Sequence, residues 1–240
     1  MLSNLNDGMN EFLAAIAGAV IGGGIAYAVQ MVALREARKQ RAEDAEARQR
    51  ALGHALIFKM IRLHSHFRIL NLGIRQAIAT ALKDGFRGQT WQFVLPTVNL
   101  PDPIHFTTDE MVMLLALKDN ALFNDLAEMD ERHNGTIAGF TAYAKNRVEL
   151  GAMLPSAMHG NVGTAELTQD QFHAIGPKMA EVNSLIEALI PQCEQQEQEA
   201  WSVLSRLIAL LTSKIGLTLK LELKRDDELK AAKPINPMAQ

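Results

Sequence analysis

The chain has 240 residues, 5% of them aromatic, with a formal net charge of −3 at pH 7 and a single cysteine. This length excludes several large domains, the scarcity of aromatic residues favours helix over sheet, and one cysteine excludes an internal disulfide. The charge is uneven, because residues 35–88 contain twelve Lys and Arg against five Asp and Glu, whereas residues 89–240 contain twelve against twenty.

Residues 12–34 form an uncharged, largely apolar stretch that follows a short N-terminal segment, residues 1–11. A helix of this length spans roughly 34 Å, which exceeds the hydrocarbon core of about 30 Å. We therefore predict a single transmembrane helix in a bacterial-type inner membrane. By the positive-inside rule, the basic residues that follow place the C-terminal side in the cytoplasm and residues 1–11 outside. These juxtamembrane residues are Arg35, Arg38, Lys39 and Arg41.

Three other interpretations of the apolar stretch are weaker. The glycines at 22–24 do not fit a dinucleotide-binding loop, because no strand or acidic residue of a βαβ unit accompanies them. A cleaved signal peptide would explain the Ala26-Tyr27-Ala28 sequence, but the preceding residues carry Asp7 and Glu11 and no basic residue. A buried helix of a soluble protein would not need so long an apolar run.

Small residues recur at every fourth position of the predicted span. Such rows allow two helix backbones to approach closely in lipid. We therefore predict that the chain forms a homo-oligomer through this face. The predicted packing residues are Ala14, Gly18, Gly22 and Ala26.

A helical stalk is predicted over residues 35–51, followed by a helical cytoplasmic domain over residues 52–230. The stalk consists of strong helix formers with almost nothing to bury. Apolar residues then alternate at spacings of four and three, which is the pattern of a buried helical seam. The seam comprises Leu63, Phe67, Leu70, Ile74, Ala77 and Ala81. We expect a mainly α fold, an antiparallel helical bundle.

A small two-stranded β ribbon beside the bundle is left open. Gly85 and Gly88 should end the first helix, and residues 90–95 then alternate as in a short edge strand. Residues 216–224 also alternate strictly between apolar and polar, although leucine and lysine prefer helix. If both segments are strands, they are natural partners.

The remaining helices are predicted from caps and breakers. Thr107 and Glu110 form a capping box that begins a helix ending near His133, with a break or kink at 134–135 and a second helical piece to about 153. Residues 155–163 should be a loop. Thr168 and Gln171 should cap a short turn that stops at 176–177. A helix over 178–213, kinked at Pro191, and a disordered tail over 231–240 complete the chain.

The basic helix over residues 59–87 is the strongest candidate for ligand binding. Its cations suggest a site for an anion such as a nucleotide, nucleic acid or lipid headgroup. The competing and favoured explanation is internal, because residues 102–131 are strongly acidic and could pair with the basic helix. The candidate anion-binding residues are Lys59, Arg62, Arg68 and Arg75.

Catalytic and metal-binding motifs are not found. The seven histidines lack the Glu-x-x-His pairs of a di-iron bundle, and no nucleophile elbow, P-loop or zinc-finger spacing occurs. Cys193 has no Cys–His signature around it, so an ordinary structural role is expected. The sequence therefore predicts no cofactor, no metal and no catalytic residue, and it favours a protein that is not an enzyme.

The sequence leads to one functional hypothesis and one alternative. The first is a membrane-anchored interaction, scaffold or sensor protein that self-associates through its span and stalk. The alternative is a membrane effector that responds to an anion bound at the basic helix 59–87. The expected partners are the lipid bilayer, further copies of the chain and another protein, with nucleic acid less favoured.

Overall fold

The computed structural model describes residues 3–97, 99–154 and 167–217, and in these ranges the chain is mainly α-helical with no strand. The mainly α fold that the sequence predicts is therefore confirmed. The helices are α1 (Ser3–Lys83), α2 (Thr90–Phe93), α3 (Thr108–Ala116), α4 (Asn120–Met153) and α5 (Gln169–Ile215).

Contacts divide the chain into two compact units, Met1–Ala51 and Leu52–Gln240. In the first unit, almost all side chains described from Tyr27 onward are exposed. Among the residues described, no helix combines the length and the apolar character needed to cross a bilayer. Most side chains of the predicted span 12–34 lie outside the described residues. They include all four predicted packing residues, Ala14, Gly18, Gly22 and Ala26. The predicted domain boundaries stay predictions.

The core of the second unit is built on the predicted seam of α1. Leu63, Phe67, Leu70 and Ile74 are all buried, because spacings of four and three residues keep them on one face of the helix. The same face extends about two turns towards the N-terminus, to the buried Leu56. The apolar faces of α4 and α5 complete this core. Their buried residues include Leu122, Leu126, Phe140, Val182, Ile186, Leu204 and Leu207.

The long helices of this unit differ in direction. Helices α4 and α5 are antiparallel, because later residues of α4 contact earlier residues of α5. Thr136 contacts Gln196, whereas Gly139 contacts Leu189. Contacts between α1 and α5 follow the same rule: Gly53 lies against Leu217 just beyond α5, and the Phe67 carbonyl contacts Cys193 within it. The part of α1 in this unit and α4 consequently run parallel.

Residues 84–119 connect these parallel helices and carry α2 and α3. The buried Trp91 of α2 donates its backbone N–H to Asn183 Oδ1 of α5 over 3.4 Å. Glu110 of α3 is 3% exposed and accepts a hydrogen bond from Lys59 Nζ at 2.7 Å. The connection is therefore fastened to the long helices by polar contacts as well as by apolar packing.

The strand predicted over residues 90–95 is wrong, because Thr90–Phe93 is the helix α2. Trp91 and Val94 are both buried, whereas Leu95 is exposed. A separation of three residues places two side chains on one side of a helical turn, and this burial pattern overrides the short alternation. Residues 218–224, most of the second strand predicted for the ribbon, lie outside the described residues.

The helix predicted from Asp109 to His133 is interrupted. Helix α3 ends at Ala116, Lys118 adopts a left-handed backbone with φ 61°, and α4 begins at Asn120. The Asp119 side chain accepts a hydrogen bond from the Leu122 N–H at 2.9 Å, which caps α4. At 134–135, where the sequence predicts a break or a kink, the helix does not break, since α4 continues to Met153.

Helix α5 also differs from the prediction, because it is continuous from Gln169 to Ile215 and includes Pro177 and Pro191. Both prolines are exposed, as are His173 and Glu187, whose carbonyls lose the bond that a proline cannot donate. Water can therefore satisfy these carbonyls, and the helix does not stop at 176–177.

The two capping boxes and the end of the first helix predicted from the sequence are confirmed. The side chain of Thr107 accepts from Glu110 N–H while the Glu110 carboxylate accepts from Thr107 N–H, which is the predicted capping box. Thr168 and Gln171 form a second box, which begins α5. Helix α1 ends before Gly85, whose φ of 72° suits a residue without a side chain.

Replacing Thr136 by valine should destabilise the contact between α4 and α5. Thr136 Oγ1 donates to Gln196 Oε1 at 2.6 Å, and both side chains are buried. Valine keeps the shape of threonine but leaves the glutamine amide oxygen without its donor, which costs about 1–3 kcal/mol. Urea unfolding of the full chain, followed by tryptophan fluorescence, measures this loss.

The matched control is Thr141→Val, on the exposed side of the same helix. The Thr141 hydroxyl donates only to the Ile137 carbonyl of its own helix. We expect a change below about 0.5 kcal/mol for this variant. Equal unfolding midpoints for the two variants would contradict the proposed importance of the buried contact.

Candidate functional site

The predicted anion-binding residues are held partly by internal ion pairs. Lys59 contacts Glu110 of α3 at 2.7 Å, and Arg75 contacts Glu194 of α5 at 2.5 Å. Arg62 is exposed, while Arg68 is half-buried and has contacts of its own. Lys59 and Arg75 are separated by roughly 24 Å along the helix axis, so a small anion cannot contact all four residues at once. Anion binding at this face stays a prediction.

The basic residues predicted to flank the membrane lie in the first unit, and their side chains are exposed. They are Arg35, Arg38, Lys39 and Arg41. Lys39 and Glu43 form an ion pair across one helical turn at 3.9 Å, with 68% and 65% of the side chains exposed. Such an exposed pair contributes little to stability, so these cations remain available to a charged surface. Exposed apolar side chains precede them directly, at Tyr27, Val29, Met31, Val32 and Leu34.

A histidine network joins α1, α4 and the connection between them. His66 Nδ1 of α1 lies 3.0 Å from His133 Nε2 of α4, and His133 Nδ1 lies 3.2 Å from Asn134 Oδ1. The Asn134 amide is oriented by Ile104, which donates its N–H to Oδ1 and accepts from Nδ2 through its carbonyl, each at 3.2 Å. Because Oδ1 can only accept, His133 Nδ1 carries the proton, and His66 donates to His133 Nε2.

Both histidines of this contact resist protonation. The pKa of His66 is lowered from 6.5 to about 4, chiefly by burial and additionally by the neighbouring His133 and Arg62, against the opposing effect of Asp102. Burial also lowers the pKa of His133, although Asn134 and Asp130 act in the opposite direction. The pair is therefore neutral at pH 7, and its role is to hold α1, α4 and residues 104–106 together.

Neither this network nor the cysteine forms a reactive centre. Within the described ranges, no group of three or more His, Cys, Asp or Glu side chains is arranged to hold a metal ion. The thiol of Cys193 is buried beneath α1, with Sγ 3.5 Å from the Phe67 carbonyl oxygen. Burial, aided by Glu197, raises the pKa of Cys193 to about 12. A thiol that stays protonated and inaccessible is not a nucleophile.

A pocket of about 780 Å³ lies beside α2, between the C-terminal part of α1 and helices α4 and α5. We call it the α2 pocket. Its volume falls in the range of sites that bind small molecules, and its wall is mostly apolar. Phe86 and Phe93 stack edge to face at one side, with ring centroids 6.1 Å apart. Apolar lining residues include Ile74, Ala77, Phe86, Trp91, Phe93, Val94, Phe140, Leu154, Leu167 and Met179.

Two residues of α4 hold α2 in position and define the pocket wall. The buried Tyr143 hydroxyl donates to the Val94 carbonyl at 2.5 Å. Arg147 Nε donates to the Trp91 carbonyl at 3.0 Å, and its Nη2 lies 3.5 Å from the Gln92 carbonyl. These contacts satisfy carbonyls at the C-terminal end of α2, where a cation is also favoured electrostatically.

Burial alters both of these groups. It raises the pKa of Tyr143 to about 12, so the phenol stays a hydrogen-bond donor. It lowers the pKa of Arg147, which still carries its charge at neutral pH because a guanidinium starts from 12.5. The pocket therefore combines an apolar wall with one permanent cation.

No motif in the sequence indicates this site directly. Tyr143 and Arg147 lie on one predicted helix without a recognisable pattern around them. The aromatic residues at 86, 91 and 93 were the available signal, since three occur within eight positions of a chain poor in aromatics. The predicted strand assigned two of them to a sheet instead.

No protein-family model matches the chain, no curated protein is significantly similar to it, and no solved structure matches its fold.

Acidification should weaken the fold through the histidine contact. An unfolded chain takes up a proton at each histidine near pH 6.5, whereas His66 in the fold does so only near pH 4. As the pH falls between these values, the unfolded state binds more protons, so the free energy of unfolding decreases. The contribution of neutral His66 to the free energy of unfolding is retained in full above pH 6.5. Urea unfolding at several pH values measures the slope.

The variant His66→Gln should show a shallower slope over this interval than the unmodified chain, because one such group is removed. His173→Gln, at an exposed position of α5, should leave the slope unchanged. Identical slopes for His66→Gln and the unmodified chain would show that this contact does not cause the acid sensitivity.

Proposed function

We propose that this chain is a membrane-anchored helical sensor that binds an apolar small molecule in the α2 pocket. The pocket is the observation that carries the sensor role. Its lining is contributed by α1, α2, α4 and α5 together, so an occupant would contact every long helix of the second unit. A ligand that binds the folded bundle and not the unfolded chain stabilises it, which is the elementary requirement of a sensor.

The membrane anchor is supported by the first unit. Exposed apolar side chains between Tyr27 and Leu34 are followed directly by exposed cations beginning at Arg35. A water-exposed apolar surface of this kind typically marks a site that contacts lipid or another protein chain, here a second copy. The uncharged sequence over 12–34 and the positive-inside rule support an anchor in the inner membrane, with the helical domain on the cytoplasmic side.

The alternative, an effector that binds an anion along the basic helix 59–87, is not favoured by a specific observation. Lys59 and Arg75 already contact carboxylates, and an added anion would have to compete with Glu110 and Glu194. It stays a prediction of the sequence.

Filling the α2 pocket should abolish ligand binding. Gly73 lines the pocket, and a Cβ added there meets nothing within 4 Å. The side chain of Gly73→Phe therefore starts into open space at the pocket wall, where we expect its ring to reduce the room for a ligand, and helix propensity improves. The control is Gly135→Phe, at an exposed glycine of α4 with equally open surroundings outside the pocket lining.

Binding is followed by the fluorescence of Trp91, which lines the pocket, in a Trp201→Phe background and with the full chain in lipid nanodiscs. The neutral probe 12-bromododecanol should quench Trp91 saturably, because its bromine quenches on contact. Gly73→Phe should lower its affinity at least about tenfold, or ~1.4 kcal/mol, and Gly135→Phe should not. Unsaturable quenching, or equal affinity in both variants, refutes the proposed pocket function.

The anchor and its self-association are tested in native membranes. The chain should sediment with membranes and resist extraction by alkaline carbonate, because a spanning helix is not removed by breaking charge contacts.

Gly18→Leu should weaken cross-linked dimers, because the larger side chain prevents the two helix backbones from approaching closely. Val20→Leu, on the opposite side of the predicted helix, is its control. Release of the chain by carbonate contradicts the anchor, and unchanged cross-linking of Gly18→Leu contradicts the packing face.

A further inference from the structure

Two charged side chains line the α2 pocket, and they differ in their surroundings. Asp84 is exposed to solvent just beyond the end of α1, whereas Arg147 is half-buried on α4. A solvated carboxylate needs no partner, but a partly desolvated guanidinium is costly unless something compensates its charge. The identity of that compensating group decides what the pocket can bind.

Among the described residues, Arg147 lacks the carboxylate partner that three other half-buried cations of the bundle have. Lys59 contacts Glu110, Arg132 contacts Glu128 and Glu199, and Lys178 contacts Glu149 and Glu181. These pairs are direct side-chain contacts between opposite charges. Within the described ranges, no carboxylate lies at ion-pairing distance from Arg147, whose recorded contacts are two backbone carbonyls.

The guanidinium of Arg147 also keeps unused donors. It has five N–H groups, of which one on Nε and one on Nη2 are directed at the carbonyls of Trp91 and Gln92. The remaining N–H groups can donate hydrogen bonds to both oxygens of a carboxylate, and the planar guanidinium suits this bidentate geometry. A ligand carboxylate there would provide the opposite charge that the described residues do not supply.

Resting on the proposed function, we infer that the ligand of the α2 pocket is a long-chain monocarboxylate, whose hydrocarbon chain lies on the apolar wall and whose carboxylate contacts Arg147. The apolar residues of α1, α2 and α4 account for the chain, and Arg147 accounts for the head group. Asp84 at the same pocket disfavours additional negative charge, so a polyanion such as a nucleotide fits less well.

Head-group preference tests this inference in the Trp201→Phe background with the full chain in nanodiscs. Three probes share one chain length and differ in charge: 12-bromododecanoate, 12-bromododecanol and 12-bromododecyltrimethylammonium. The carboxylate should bind at least about tenfold more tightly than the alcohol, because a charge-assisted hydrogen bond is added, and the ammonium should bind most weakly. Equal affinity of the carboxylate and the alcohol overturns the inference while leaving the pocket function standing.

Arg147→Gln should reduce the ratio of carboxylate to alcohol affinity to about one, and Arg147→Lys should keep part of the preference because it retains the charge. Lys145→Gln removes a charge from an exposed position of the same helix and should keep the full ratio. The ratio is informative even if a variant loosens α2, since both probes need the same pocket. A full ratio in Arg147→Gln overturns the role of Arg147, and failure of every probe to bind refutes the proposed function itself.

Discussion

The direction of α1 and α4 is the constraint on which the second unit depends. Two neighbouring helices that run parallel cannot be joined by a tight turn, so the chain must return along the bundle between them. Residues 84–119 make this return, and they carry α2 and α3. An antiparallel pair such as α4 and α5 needs no such return for its packing. The connection therefore adds a layer to the bundle, and the α2 pocket lies where that layer meets the long helices.

Polar contacts hold residues 84–119 against the long helices at several points. Because these points are spread along the connection, its position is well defined. Lys59 and Glu110 hold α3, the Asn134 amide holds Ile104, and Tyr143 and Arg147 hold the carbonyls of α2. Among the described residues, every buried side-chain nitrogen and oxygen has a hydrogen-bond partner. These polar contacts order the connection in addition to its apolar packing, because leaving any of these groups unpaired would be costly.

The helices that pack with a regular period were predictable from the sequence, and the connection between them was not. The seam from Leu63 to Ile74 follows from spacing alone, and the capping boxes follow from local chemistry. By contrast, whether residues 90–93 form a strand or a helical turn depends on which side chains the bundle buries. The sequence predicts a stop at Pro177 and only a kink at Pro191, but α5 continues through both, because exposure to water makes their lost hydrogen bonds tolerable. At the candidate site, Arg147 and Tyr143 line or support the pocket only because tertiary packing brings α2 next to them. No local sequence pattern predicts this contact.

The enclosed sulfur of Cys193 has a practical consequence. With one cysteine in the chain, buried against α1, alkylating reagents should reach it only when the helices separate. The rate of alkylation would then report how often the bundle opens, as hydrogen exchange does for amides. The same protection leaves the folded surface without a reactive thiol, so a cysteine introduced anywhere on it could carry a spin label or dye without first removing the natural one.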